Sequence, residues 1–230
     1  MINWKKIDTV LLDMDGTLLD LYFDTYFWQE YVPFKYANKH NISLAQSKAE
    51  LAPRFSQVYG RLQWYCLDYW NQELGFDIAK MKQEVAQLIK FLPYADTFLL
   101  SLANSDKEVI MITNAHQDSL SLKLEKVSMA HYFDRMISSH DYGYPKESQA
   151  FWHSLQADIN LNKDRALFID DNIGILDAAK TFGISQLLAV RYPDSQKIPR
   201  DTGSYNAIED YRDILITNEY KQRIKQNTLR

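Results

Sequence analysis

Five short apolar runs recur along this chain: VLLD (10–13), VIMIT (109–113), MISS (136–139), LFIDD (167–171) and LLAV (187–190). Each is too short for a helix and rich in aliphatic residues, as strands buried on both faces of a parallel sheet are. The segments between them carry helical periodicity. Phe98, Leu99 and Leu102 fall at three- to four-residue spacing within 94–104, and Leu120, Leu124 and Val127 do so within 117–128. Residues 147–158 and 172–182 follow the same rule, and Gly183 stands where a helix C-cap belongs. Strand–helix alternation of this kind predicts an α/β fold with a Rossmann-like, doubly wound parallel sheet.

Residues 21–92 break the rhythm. They read as helical throughout, with Pro33, Pro53 and Gly75 as punctuation, and they hold most of the aromatic residues, in LYFDTYFWQEYVPFKY and LQWYCLDYW. The expected organisation is an α/β core from 1–20 and 93–216 with an inserted α-helical cap at 21–92, Pro93 marking the return. The basic tail, 217–230, is expected to be flexible.

With 230 residues and 46% hydrophobic content the chain can bury a substantial core. A net charge of −4 gives no broad basic face, which argues against nucleic acid as a partner. Cys66 is the only cysteine, so no internal disulfide can form, as suits a reducing compartment. The first residues lack the apolar core of a signal peptide, and no stretch approaches the ~18 apolar residues of a membrane span. The expectation is a cytoplasmic protein with no membrane partner, a monomer or homodimer.

Ligands of open parallel sheets bind beyond the carboxyl ends of the strands. The residues following each apolar run therefore matter most. They are Asp13 and Asp15, then Thr113 and Asn114, then a loop leading to Lys146, then Asp170 and Asp171. Two carboxylates about 5 Å apart repel by roughly 3 kcal/mol at an effective dielectric near 20, and one lysine cannot neutralise four of them. A hard divalent cation can, and an oxygen-only ligand set without histidine or cysteine suits Mg²⁺ better than Zn²⁺. Mg²⁺ held this way usually also holds phosphate oxygens, with Lys146 and Thr113 on those that remain. The constellation predicts phosphoryl transfer.

DMDGT at 13–17, TN at 113–114, Lys146 and IDDN at 169–172 resemble, in order and at spacings of about 100, 33 and 25 residues, the four motifs of the haloacid dehalogenase-like hydrolases. The resemblance spans residues 7 to about 215 and implies a role for each position. Asp13 would be the nucleophile that forms an aspartyl-phosphate. Asp15 would be general acid and then general base. Asp13, the main-chain carbonyl of Asp15 and Asp171 would hold Mg²⁺, with Asp170 assisting; which of Asp170 and Asp171 is the direct ligand stays open. Thr113, Asn114 and the amides of Met14 and Asp15 would cradle the phosphate, and Lys146 would bridge it to Asp13. Keeping an acid at 15 disfavours dehalogenation. Pro145 precedes Lys146, where many relatives place a proline after the lysine.

LLDMDGTLLDL, FDTYFW, WYCLDYW, TNAH and GYPKE together are similar to bacterial purine nucleotidases, which implies GMP or IMP, nucleoside 5′-monophosphates, as substrate. Trp64 and Tyr65 are candidate base-stacking residues, although Trp64, Leu67 and Trp70 share the face of one helix and could equally be its core. His116 and Asp177 are each balanced between a site role and a plain structural one. Asp20 and Asp24 lie near a possible substrate entrance, with helix N-capping the competing role for Asp24. Cys66 reads as a small core residue, and His40, His131, His140 and His153 show no ligand spacing. Other readings of the same residues are a sugar-phosphate or phosphoglycolate phosphatase, a phosphomutase, and a non-catalytic binding protein.

Overall fold

The computed structural model describes residues 2–216, so the tail at 217–230 lies outside the described residues. Each of the five apolar runs forms a strand: β1 (Thr9–Leu12), β2 (Glu108–Thr113), β3 (Arg135–Ser138), β4 (Ala166–Asp170) and β5 (Gln186–Val190). A sixth, β6 (Ala207–Ile208), is two residues long, too short to show in the sequence, and exists by pairing with the end of β5. All neighbours are parallel, in the order β3-β2-β1-β4-β5-β6. Val10, Leu12, Val109, Met111, Leu167 and Ile169 enter one core cluster, while Leu11, Ile110, Ile112 and Phe168 enter another. Burial on both faces explains why these runs are apolar at successive positions.

Between β1 and β2 the chain makes the helical excursion: α1 (Tyr22–Tyr26), α2 (Val32–His40), α3 (Leu44–Val58), α4 (Leu62–Tyr65), α5 (Leu67–Leu74) and α6 (Ile78–Glu84). Its two stems are tied together. Asp20 donates its amide to the Lys90 carbonyl (2.9 Å), Leu92 donates to that of Leu18 (2.8 Å), and Leu19 bridges Phe91 antiparallel.

The punctuation within it differs from expectation. A π-helical turn, Phe27–Tyr31, joins α1 to α2, and Pro33 lies just inside α2. Proline has no N–H to donate to the carbonyl four residues back, and a widened turn directly ahead of it absorbs that loss without ending the helix. Pro53 also lies inside a helix, α3. Gly75 does stop α5, with φ of 63°. The stretch 62–70 is not one helix: Cys66 has extended backbone and divides α4 from α5. The Trp64 carbonyl accepts the Trp70 indole N–H (2.9 Å), so the break leaves both groups paired. Cys66 itself is half-buried at this junction.

The remaining helices are α7 (Ala95–Ala103), α8 (Gln117–Lys126), α9 (Ser139–Tyr142), α10 (Gln149–Ile159) and α11 (Ile173–Phe182), the last capped by Gly183 with φ of 103°. They pack on the two faces of the sheet. No described helix is long and apolar enough to cross a membrane.

Candidate active site

Strand order reverses between β1 and β4, and a crevice opens at such a switch point. Leu12 is in register with Ile169, and the Asp13 amide donates to the Ile169 carbonyl (3.0 Å). Asp13 and Asp170 therefore leave neighbouring strands side by side. Lys146 reaches between them, with Nζ 2.5 Å from Asp13 Oδ1 and 2.7 Å from Asp170 Oδ2, and donates a third bond to the Ile112 carbonyl (3.2 Å). Its main chain is pinned as well: the amide donates to Asn114 Oδ1 (2.9 Å) and the carbonyl accepts the Trp152 indole N–H (2.8 Å). A proline before the lysine does not keep it from the strand ends.

One oxygen from each of Asp13, Asp170 and Asp171 lies within 4.8 Å of the others, and all three residues are buried. Gly16 supports this trio. Its φ is +80°, and a Cβ there would come 2.7 Å from the Asp171 carboxyl group, so only glycine fits. The trio is an all-oxygen donor set without histidine, which fits a hard cation. Its charge balance points the same way. Burial, with Asp170 adding to it, raises the Asp171 carboxyl well above the usual range despite the Arg200 guanidinium. Burial likewise raises Asp13 to about 6 against the pull of Lys146. Three carboxylates against the cations of Lys146 and Arg200 leave the trio short of positive charge.

The shortage is smaller than the sequence suggests, because one lysine is not all the site holds. Lys123 on α8 donates to Asp15 Oδ1 and to Asp24 Oδ2, each at 2.6 Å, and Lys82 on α6 donates to Asp24 Oδ1, also at 2.6 Å. Arg200 donates to the main-chain carbonyl (2.7 Å) and the carboxylate of Asp171. Asp24 is consequently no N-cap: it lies within α1, held well below its usual pKa by the two lysines although burial opposes them. Asp15 is the more accessible of the first two acids, its side chain 22% exposed against 7% for Asp13. Burial pushes it up to about 6, with Lys123 opposing.

Thr113 ends β2 and Asn114 follows it at the same rim. Thr113 Oγ1 accepts the Ala115 amide (3.0 Å), and Asn114 Nδ2 donates to Glu147 (3.0 Å). Glu147 also accepts the Tyr65 hydroxyl (2.6 Å), so it links the excursion to the loop after β2. Above the rim a cavity of about 580 Å³ opens, lined by Asp13, Asp15, Lys146, Asp171 and Arg200 at one side and by Trp28, Phe55, Tyr59, Trp64 and Tyr65 at the other. Trp64 faces two ways. It lines the cavity and packs on Trp28, Phe55 and Trp70 at centroid distances of 6.1, 5.8 and 6.0 Å. Met14 offers only its main chain to the site, its side chain being wholly buried in the core.

Other candidates separate cleanly. His116 lines the cavity and also caps α8, accepting the Asp118 amide at Nδ1 (3.3 Å). Asp20 is buried at the stems and accepts the amides of Tyr22 and Ser195, both at 3.0 Å. Asp177 is exposed on α11, accepts the Tyr205 hydroxyl (2.6 Å) and does not line the cavity.

Residues 7–183 match the family model described as haloacid dehalogenase-like hydrolase. The chain belongs to this family of hydrolases. It is 41% identical over 214 residues to the GMP/IMP nucleotidase YrfG of Escherichia coli (strain K12), covering 93% of this chain and 96% of that protein. The same figures hold for the Shigella flexneri protein of that name. Among solved structures it is similar to an HAD phosphatase from Thermococcus onnurineus, with a TM-score of 0.74, 17% identity, and coverage of 90% of this chain and 96% of that one. The L-2-haloacid dehalogenase of Xanthobacter autotrophicus shares the fold too, with a TM-score of 0.56, 19% identity, and 80% and 78% coverage. Fold alone does not choose between attack on phosphorus and attack on carbon.

Proposed function

We propose that this hydrolase is a Mg²⁺-dependent phosphatase of purine nucleoside 5′-monophosphates, GMP and IMP, working through an aspartyl-phosphate on Asp13. The observation that carries the reading is the difference between its two leading acids. Asp13 is buried and fastened by Lys146, as a nucleophile in fixed position needs to be. Asp15 has the more exposed side chain of the two, 22% against 7%, so it can exchange protons with a leaving group in the cavity. The 41% identity to a GMP/IMP nucleotidase supports the choice of substrate, and the ring-lined wall of the cavity agrees with a purine.

In the first step an Asp13 oxygen attacks phosphorus, the bond from phosphorus to the nucleoside 5′-oxygen breaks, and Asp15 gives its proton to that oxygen. In the second, Asp15 takes a proton from water, the water oxygen attacks phosphorus, and the Asp13 carboxylate is released with inorganic phosphate. Lys146 holds Asp13 and neutralises phosphate oxygens, while Thr113 and the amides following Asp13 hold the rest. Asp13, Asp171 and the Asp15 carbonyl would hold Mg²⁺, with Asp170 steadying Lys146. When bound there, the ion supplies charge that draws the phosphate monoester in and stabilises its transferring group. We further assign 1–20 and 93–216 to the catalytic core and 21–92 to a substrate-selecting cap, in a cytoplasmic protein that is a monomer or homodimer.

Phosphate release from GMP, IMP, AMP, pyrimidine nucleotides and sugar phosphates, with and without Mg²⁺, tests the reading. Turnover of GMP and IMP well above the others is the expected result. Equal turnover of glucose phosphates and GMP would replace nucleotides by sugar phosphates as the substrate class.

A further inference from the structure

We infer that Lys82, acting through Asp24 and Lys123, positions the carboxyl group of Asp15, so that seating of the helical excursion and proton transfer to the leaving group are coupled. The inference rests on the reading of Asp15 as the proton-transfer group. Four side chains of alternating charge stand in a row, Lys82–Asp24–Lys123–Asp15, with each link 2.6 Å long. They come from four separate places: α6, α1, α8 and the loop after β1. The two lysines are 2% and 1% exposed, and aromatic rings surround them. Lys82 lies 4.8 Å from the centroids of both Phe23 and Phe27, and Lys123 lies 5.3 Å from that of Phe23.

A buried ammonium has to keep its carboxylates, because stranding it in apolar surroundings is far costlier than the pair is favourable. Lys123 is shared by Asp15 and Asp24, so the direction in which it pulls Asp15 depends on where Asp24 sits. Asp24 is in turn held by Lys82, the one member carried by a distant helix of the excursion. Lys123 occupies Oδ1 of Asp15, which leaves Oδ2 for the leaving group. If these ions served only to join α6 to α8, well-packed apolar residues would join them as well or better. A row that instead ends on Asp15, beside the cavity, has a use in placing that carboxyl.

The test measures the first turnover, by rapid quench, of the full-length Mg²⁺-loaded enzyme on two esters. GMP has an alkoxide leaving group that needs a proton, whereas p-nitrophenyl phosphate releases a stable phenolate that does not. Lys82→Met keeps the length and apolar stem of the side chain and removes its charge. Release of guanosine is expected to slow roughly tenfold, a fraction of what a general acid supplies, and release of nitrophenol to slow at most about threefold. Lys82→Arg should recover most of the guanosine rate. Asp24→Asn should show the same split and serves if Lys82→Met does not fold. A parallel loss on both esters, or no loss on either, would overturn the inference and leave the row as a structural joint. Asp15→Asn is the benchmark: without a leaving-group split there, the role of Asp15 itself fails and the inference with it. If GMP is no substrate, the best alkyl phosphate of the panel takes its place and the linkage is tested unchanged.

Discussion

Asp13 and Asp15 are two residues apart, yet one faces Lys146 at the sheet edge and the other faces Lys123 beside the cavity. Asp13→Asn is expected to lower phosphate release by at least roughly a thousandfold while leaving the circular dichroism spectrum unchanged. Unaltered hydrolysis would remove Asp13 from the chemistry. Gly16→Ala puts a methyl group against the Asp171 carboxyl in a left-handed backbone. About 1–2 kcal/mol of stability should be lost, together with weakened Mg²⁺ binding by calorimetry, and a native melting curve with native metal affinity would refute the close-approach argument. The acids were legible because they follow apolar runs. Lys123 and Lys82 left a fainter trace: each occupies a buried position beside the apolar residues of its helix, with Leu120 and Leu122 on α8 and with Ile78 and Met81 on α6. A charge in such a place marks a buried partner. Arg200 lies in an irregular segment and left none, and Glu147 left only its place in GYPKE.

At the scale of elements, the stems of the excursion depend on Asp20. Burial alone would raise its pKa, but hydrogen bonds from Ser195 and Tyr22 and the Lys90 ammonium bring it below the usual value. A carboxylate with a depressed folded pKa stabilises above its unfolded pKa of about 3.9, and that stability is lost as pH falls through the folded value. Asp20→Asn should therefore cost about 1–2 kcal/mol in urea melts at pH 7, with the gap to the parent narrowing below about pH 4. A gap independent of pH would show that charge is not what Asp20 contributes. Tyr65→Phe removes the hydroxyl that ties α4 to Glu147 and should cost about 1 kcal/mol. A severalfold rise in KM for GMP with kcat nearly kept would accompany it if this tie sets the cavity wall. The helices themselves were readable from periodicity, but the break at Cys66 was not, because only the Trp70 indole N–H shows why α4 stops.

At the scale of the molecule, three buried carboxylates face the cations of Lys146 and Arg200, and the proposed Mg²⁺ would balance the charge that remains. Chelation should abolish phosphate release, and added Mg²⁺ should restore it. Activity that survives exhaustive chelation would exclude the metal role. The sequence by itself determined the parallel α/β sheet, the helical segment placed after β1, and the gathering of Asp13, Asp15, Thr113, Lys146, Asp170 and Asp171 at one rim. These follow from local facts: apolar runs set strands, and strand ends set the rim. Lys146 beside Asp13 was expected from the family resemblance, but the tertiary structure alone decided the other ion pairs. Asp24, Lys82, Lys123, Glu147 and Arg200 acquire their meaning from partners far away in the chain. Ion pairing depends on distance in space, and neither periodicity nor composition records it.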